Sequence, residues 1–200
     1  MSKTIFITGI AGFLGSYIAD EMLSKGHKVV GCDNLTGGYL DNVSPKVEFY
    51  QYDCNFLNSM VKITKGVDVI YHCAATAYEG LSVFSPYFIT KNVYQITASI
   101  MSAAIQNNVK RIVFTSSMAR YGANKVPFME NMEPKPQDPY AIGKYASEIL
   151  IKNLAETHGI QYVIAVPHNI IGPRQKYDDP YRNVASIMIN LMLQGRQPII

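Results

Sequence analysis

The sequence predicts an α/β fold: one parallel, doubly wound sheet with helices on both faces. Three observations predict it. Short β-branched and aromatic runs alternate with amphipathic segments along the whole chain. Several of the strand-like runs are apolar at nearly every position, as strands covered on both faces are. No internal repeat or low-complexity tract interrupts the alternation.

The elements follow in order. Residues 3–8 (KTIFIT) read as a buried strand, and residues 13–25 as a helix with Leu14, Ile18, Met22 and Leu23 on its apolar side. Residues 28–33 are the second strand, followed by a polar glycine loop over 34–38. The alternating run 47–53 is the third strand, 55–65 a short helix, and 68–75 a fourth, fully buried strand. Gly80 and Pro86 break the loop 76–86. A long helix over 88–108 and a fifth strand over 111–117 precede a Pro-rich, charged loop at 122–137. Asp138 is a good N-cap and Pro139 a good first residue for a helix over 139–158, with Gly159 as its C-cap. A sixth strand spans 161–166 and Pro167 ends it. The last helix runs from Asn183 to Leu193, and residues 197–200 look like the start of another strand. The expectation is a domain over 1–175 followed, over 176–200, by the beginning of a second domain of a longer protein.

Composition narrows the function classes. A hydrophobic content of 48% with 16% charged residues suits a sizeable core. Net charge is +3, from 18 basic residues scattered among 15 acidic ones, so a nucleic-acid partner is not expected. No signal-peptide pattern opens the chain and no apolar run is long enough to span a bilayer, so no membrane role is expected either. Cys32, Cys54 and Cys73 lie far apart in sequence without metal-ligand spacing. They are expected to be buried, reduced thiols of a cytoplasmic protein, with no metal site.

Between the first strand and helix stands Gly9-Ile10-Ala11-Gly12-Phe13-Leu14-Gly15. A strand, a glycine turn and a helix make a phosphate-binding corner. Gly9 makes the tight turn, Gly12 lets a pyrophosphate approach, and Gly15 lets the helix pack on the strand. The spacing is G-x-x-G-x-x-G rather than G-x-G-x-x-G, but Asp33 ends the second strand roughly 20 residues on, where a ribose-binding carboxylate belongs. Ligands of such sheets lie beyond the carboxyl ends of the strands, which gathers residues 9–15, Asp33, Asp53, Ala74, Ala75, Ser117 and the Pro167-His168-Asn169 turn in one crevice.

Tyr140 and Lys144 stand at i and i+4 and share a helix face. An ammonium beside a phenol favours the phenolate and lowers its pKa from about 10, as does the positive helix start. Such a tyrosine can act as a general base near neutral pH. Ser116 or Ser117, at the end of the preceding strand, can hold a substrate oxygen against it. His72 lies inside a buried strand and reads as core.

Together these residues resemble the extended short-chain dehydrogenase/reductase family with its Rossmann-type fold, in particular its nucleotide-sugar epimerases. The motifs that carry the likeness are the residue 8–15 glycine turn, Asp33-Asn34-Leu35, Asp53, His72-Cys73-Ala74-Ala75, Phe114-Thr115-Ser116-Ser117, Tyr121-Gly122, Tyr140-x-x-x-Lys144 and Asn169-Ile170-Ile171-Gly172-Pro173-Arg174. The resemblance implies bound NAD. Gly9, Gly12, Phe13, Leu14 and Gly15 would hold its phosphates. Asp33 would hold its ribose and Asp53 its adenine end, and Asn34, Cys54, Cys73, Ala74, Ala75, Asn92, Thr115, Tyr140, Lys144, Pro167 and the His168 backbone would also bind it. Ser117, Tyr140 and Lys144 would be catalytic, and Ser117, Tyr140 and Asn169 would touch the substrate. Many relatives carry Arg where Val166 stands. The implied reaction is redox-neutral: Tyr140 takes the sugar 4-hydroxyl proton, NAD takes and returns the C4 hydride, and the 4-keto sugar rotates between. Dehydratases and decarboxylases of the family place acids just after the catalytic hydroxyl, whereas Met118 and Ala119 follow Ser117, which favours epimerisation. A dehydratase, decarboxylase or reductase and a non-catalytic dinucleotide sensor are the alternatives. No Lys or Arg next to Asp33 in sequence would receive a 2′-phosphate, which favours NAD over NADP. A homodimer is expected. Ile89, Val93, Ile96 and Ile100 form one apolar side of the long helix and Tyr94, Ala98, Met101 and Ile105 another, the second free for a partner helix.

Overall fold

A computed structural model describes residues 2–179 and 184–198. Six parallel strands form one sheet in the order β3-β2-β1-β4-β5-β6: β1 (Thr4–Thr8), β2 (Lys28–Cys32), β3 (Glu48–Tyr50), β4 (Val69–His72), β5 (Arg111–Thr115) and β6 (Gln161–Ala165). The order reverses between β1 and β4, which opens a crevice at their carboxyl ends. Register keeps those ends level: Thr8 pairs with Cys32 on one side and His72 on the other.

Alternation along β1 divides the core. Phe6 points with Ile70, Ile112 and Phe114 into one cluster, closed by Ile100, Met101 and Ile151 from the helices. Ile5 and Ile7 point the other way, with Val29 and Val69, and Ile10 and Ala19 cover them. The helices among the described residues are α1 (Phe13–Ser24), α2 (Leu57–Ile63), α3 (Glu79–Ser82), α4 (Pro86–Thr90), α5 (Ile96–Gln106), α6 (Pro139–His158) and α7 (Val184–Leu193).

The differences from the sequence expectation cluster at the crevice. Asp33, Asp53, Ala74, Ala75, Ser116 and Ser117 lie past the ends of their strands, because there the chain leaves the ladder and turns toward the cavity. The expected loop 76–86 contains the short helix α3, and Met118–Tyr121 is a 3-10 turn. The expected long helix forms without a gap from Pro86 to Gln106, but a π-helical turn, Lys91–Gln95, joins α4 to α5 within it. The Asn92 carbonyl in that turn accepts a bond from Thr76 N at 3.3 Å, which ties the loop after β4 to the helix. Met101, expected on a free face, is fully buried in the core, while Tyr94, Ala98 and Ile105 are partly covered. Asn183, Ile199 and Ile200 lie outside the described residues, and no strand covers Gln197 or Pro198. Among the described residues no helix is long and apolar enough to cross a membrane.

Candidate active site

A cavity of about 760 Å³ opens at the carboxyl ends of the strands. Its first wall is residues 9–15. Gly9 holds φ +69°, and a Cβ there would lie 2.8 Å from Ala74 N, so the turn crosses directly over the end of β4. A Cβ on Gly15 would lie 2.2 Å from Gly9 O, so α1 packs on the turn at a distance only glycine permits. Gly12 caps α1 without any side chain bonded to the first N–H groups of the helix. A helix start left open in this way suits a phosphate.

Asp33 stands beside it, nearly buried. Its Oδ2 accepts from Ala11 N at 3.0 Å and its Oδ1 from Leu35 N at 2.8 Å, so the carboxylate is aimed by the glycine turn itself. Asn34 Nδ2 donates to Asp53 Oδ2 at 3.4 Å, and Asn55 holds the other Asp53 oxygen through its backbone and side-chain amides at 2.8 and 2.9 Å. Cys54 lines the same end. Its sulfur lies 3.6 Å from that of Cys32, so two thiols remote in sequence are neighbours, both unoxidised.

One cation here escaped the sequence reading. Asn42 Nδ2 donates to Ala11 O at 2.9 Å and to Arg174 O at 3.1 Å, and Arg174 pairs with Asp20 at 2.6 Å. These bonds lay the segment after Gly172 against the glycine turn. Gln175 and Lys176 therefore line the cavity with Thr36 and Gly37. Lys176 Nζ sits 4.6 Å from the centre of the Tyr39 ring and 3.1 Å from Asp178. Lys176 is thus a cation on the cavity wall that the residues next to Asp33 in sequence do not disclose.

The far wall is the face of α6. Asp138 caps the helix by accepting from Ala141 N at 2.9 Å, Pro139 opens it, and Gly159 closes it at φ +68°. Fixed at both ends, α6 presents Tyr140, Lys144 and Glu148, one per turn, all buried. Lys144 Nζ donates to Thr115 O at 2.7 Å and lies 4.8 Å from the Phe114 ring centre. Burial lowers the Lys144 pKa to about 8, against the opposing pull of Cys73 and Glu148. Ser117 caps the 3-10 turn by accepting from Ala119 N at 3.2 Å. Its hydroxyl proton can then be given to a ligand oxygen. Ser116 instead donates to Glu148, which separates the roles of the two serines.

His72 is core, as its place in the strand implied. It is fully buried, with Nδ1 2.7 Å from Thr8 Oγ1 and Nε2 3.0 Å from Thr97 Oγ1. The Thr97 hydroxyl gives its own proton to Val93 O, and Thr8 Oγ1 accepts from Ala74 N. The imidazole therefore donates from Nε2 and accepts at Nδ1. Burial, helped by the Lys144 charge, lowers its pKa to about 3.

The cavity also gathers Phe13, Leu14, Cys73, Ala74, Ala75 and Asn92 along its floor and sides. Thr115, Pro167 and Asn169 border its chemical end. His168 is the exception: it is exposed and outside the lining, its ring 3.3 Å from the Asn169 amide. Sequence reasoning passed over Thr76, Tyr78 and Glu79, which line the cavity because the Thr76–Asn92 bond folds their loop back. It also passed over Tyr87 and Lys91, which carry no motif of their own. Among the described residues no group of His, Cys, Asp and Glu could hold a metal.

Known proteins share this arrangement. A UDP-glucose 4-epimerase of Mycolicibacterium smegmatis is 35% identical over 95% of this chain, which spans 63% of that protein. A UDP-N-acetyl-alpha-D-glucosaminuronate decarboxylase of Bacillus cytotoxicus is 31% identical over 98% of the chain, again 63% of the relative. The crystal structure of the Thermotoga maritima UDP-glucose 4-epimerase with UDP-glucose superposes with a TM-score of 0.91 at 31% identity, covering 96% of this chain and 64% of that one. The chain thus spans less than two thirds of these relatives. The model of the NAD dependent epimerase/dehydratase family matches residues 5–200, and with the open helix start, the aimed Asp33 and the Tyr140–Lys144 face all in place, the chain belongs to that family.

Proposed function

We propose that this chain is the NAD-binding and catalytic part of an enzyme that epimerises a nucleotide sugar at C4. The substrate class is a UDP-hexose or UDP-hexuronic acid. The residues fit NAD: an open helix start for its phosphates and a carboxylate for its ribose hydroxyls. NAD, when bound, takes a hydride from the sugar C4 and returns it. The chain's own residues do the rest. Tyr140 takes the 4-hydroxyl proton and gives it back. Ser117 orients that oxygen, Lys144 keeps the phenol poised as its anion, and Asn169 faces the substrate diphosphate. The observation that carries the reading is the convergence of Ser117, Tyr140 and Lys144 on one cavity wall, with Met118 and Ala119, neither able to move a proton, following Ser117.

The test is incubation with NAD and UDP-linked hexoses or hexuronic acids, with product mass as the readout. An isomer of unchanged mass supports epimerisation. One observation favours a second reading, loss of water or carbon dioxide. Glu79 lines the cavity, and burial together with the nearby Asp138 charge raises its carboxyl pKa, as suits an acid. A product lighter by water or carbon dioxide, abolished by Glu79→Gln, would establish that reading instead.

The same proposal includes a homodimer built on the long helix over 86–106 and α6. Ile142 and Ile149 of α6 are each 52% exposed, and Tyr94, Ala98 and Ile105 of the long helix are only partly covered, an apolar surface of the kind a helical interface buries. A species sedimenting as a monomer at micromolar concentration would contradict it. Residues 176–200 then begin the substrate domain, and the unpaired thiols suit the cytoplasm.

A further inference from the structure

Behind the serine wall lies a charged cluster that the proposed chemistry does not use. Glu148 is fully buried. Its Oε1 accepts from the Ser116 hydroxyl, and its Oε2 accepts from Arg120 Nη1 at 2.7 Å. The Arg120 guanidinium lies between two rings, 5.3 Å from Tyr121 and 5.7 Å from Tyr145, and its Nε is buried with no partner. Three successive turns of α6 therefore address three successive residues at the end of β5, Thr115 to Ser117. Tyr140 shares the cavity wall with Ser117, Lys144 holds Thr115 O, and Glu148 holds Ser116 while reaching past it to Arg120. The other bonds that tie this segment to the sheet run from Thr115 Oγ1 to His72 O at 3.1 Å, from Ser116 N to Ala165 O at 2.8 Å and from Met118 N to Pro167 O at 3.3 Å. These pull toward β4 and the β6 end, not toward α6.

We propose that Glu148 is a positioning residue: held by Arg120, it clamps Ser116 to α6 and so sets Ser117 and the Thr115 carbonyl against Tyr140 and Lys144 at the nicotinamide end of the cavity. The proposal rests on the reading that this cavity binds NAD. A buried carboxylate with two charge-assisted hydrogen bonds is a rigid tie, because any displacement leaves a charge unpaired. It also places an anion one turn from Lys144. The charged and titratable groups facing Lys144 are Cys73 and His72 from β4, and Tyr140 and Glu148 from its own helix. Thr115 O and the Phe114 ring of β5 complete its surroundings. Glu148 is the carboxylate of that set and its charge favours the Lys144 ammonium, so its removal makes that ammonium easier to lose.

The test is calorimetric binding of NAD, and of ADP as a probe lacking the nicotinamide riboside, to the 200-residue chain between pH 6 and 10. Glu148→Gln should weaken NAD about tenfold, the scale of one hydrogen bond to a charged group, and leave ADP unchanged. The alkaline loss of NAD affinity, as Lys144 deprotonates, should also move to lower pH. Arg120→Lys keeps a cation beside Glu148 and should stay near wild type. If Glu148→Gln does not fold, Glu148→Leu with Arg120→Met removes the clamp while filling its space, and should show the same selective loss. An equal loss of NAD and ADP, or none, overturns the clamp. A wild-type chain that binds ADP but not NAD, or neither, overturns the underlying reading and the clamp with it.

Discussion

At residues 9–15 the groups that face a ligand belong to the backbone, whereas at the α6 wall they are side chains. The first end is compact in sequence: Ala11 and Asp33, 22 residues apart, aim one another, and the open N–H groups of α1 need no side chain to point them. The second end is assembled across the sheet. Lys144 reaches Thr115 from 29 residues away, and Ser116 reaches Glu148 from 32. The first end binds whatever carries a pyrophosphate and a ribose. The second decides what happens to a bound molecule, through buried charges that reach across to the end of β5. Binding and chemistry should therefore fail separately.

Tyr140→Phe should give the largest effect. It removes the general base, and turnover of a nucleotide sugar should fall about 10²- to 10⁴-fold while NAD affinity holds. Steady-state rates beside calorimetry check it, and near-normal turnover would break the division. Gly15→Ala attacks the other end. Its Cβ would lie 2.2 Å from Gly9 O, so the turn must shift. NAD and ADP should both be lost, and denaturant melts should show destabilisation of about 1–3 kcal/mol. The third effect concerns pH. His72 takes a proton readily when unfolded, near 6.5, but in the fold only near 3. The unfolded state therefore binds more protons between those values, and stability falls as pH falls through that window. Between pH 5 and 6.5, where ordinary carboxylates stay ionised, the slope should approach about 1.4 kcal/mol per unit. Urea melts at several pH values read it, and a flat profile would mean the imidazole is not held neutral. The smallest effect concerns Lys176. NAD should bind more tightly than NADP because Asp33 repels a 2′-phosphate. Lys176→Gln should widen the preference about threefold by removing a cation from the cavity wall. Tighter binding of NADP than NAD would sink the assignment.

The same contrast explains what the sequence could disclose. Gly9, Gly12, Gly15 and Asp33 are legible because strand, turn and helix fix their spacing within one unit. Tyr140 and Lys144 are legible because i and i+4 share a helix face. The bounds of α6, Pro139–His158, are legible because Asp138, Pro139 and Gly159 mark them. Strand ends are not, since Asp53, Ala75 and Ser117 have strand-like neighbours and leave the ladder only because the cavity draws them out. Nor is the π turn at Lys91–Gln95, which depends on the Thr76 amide reaching Asn92 O. Lys176 reaches the cavity through a segment whose anchor at Tyr39 and Asp178 joins residues 139 apart. Cys32 and Cys54 meet because β2 and β3 are neighbours in the sheet. Local pattern carries none of these three.

The most direct measurement is the affinity of Lys144→Met for NAD and for ADP. Lys144 stands on the α6 wall, away from the glycine turn in sequence, and its ammonium holds Thr115 O of β5. Two separately built ends predict NAD weakened about tenfold with ADP unchanged. Parallel loss of both ligands at unchanged stability would contradict the account, because the two walls would then be one.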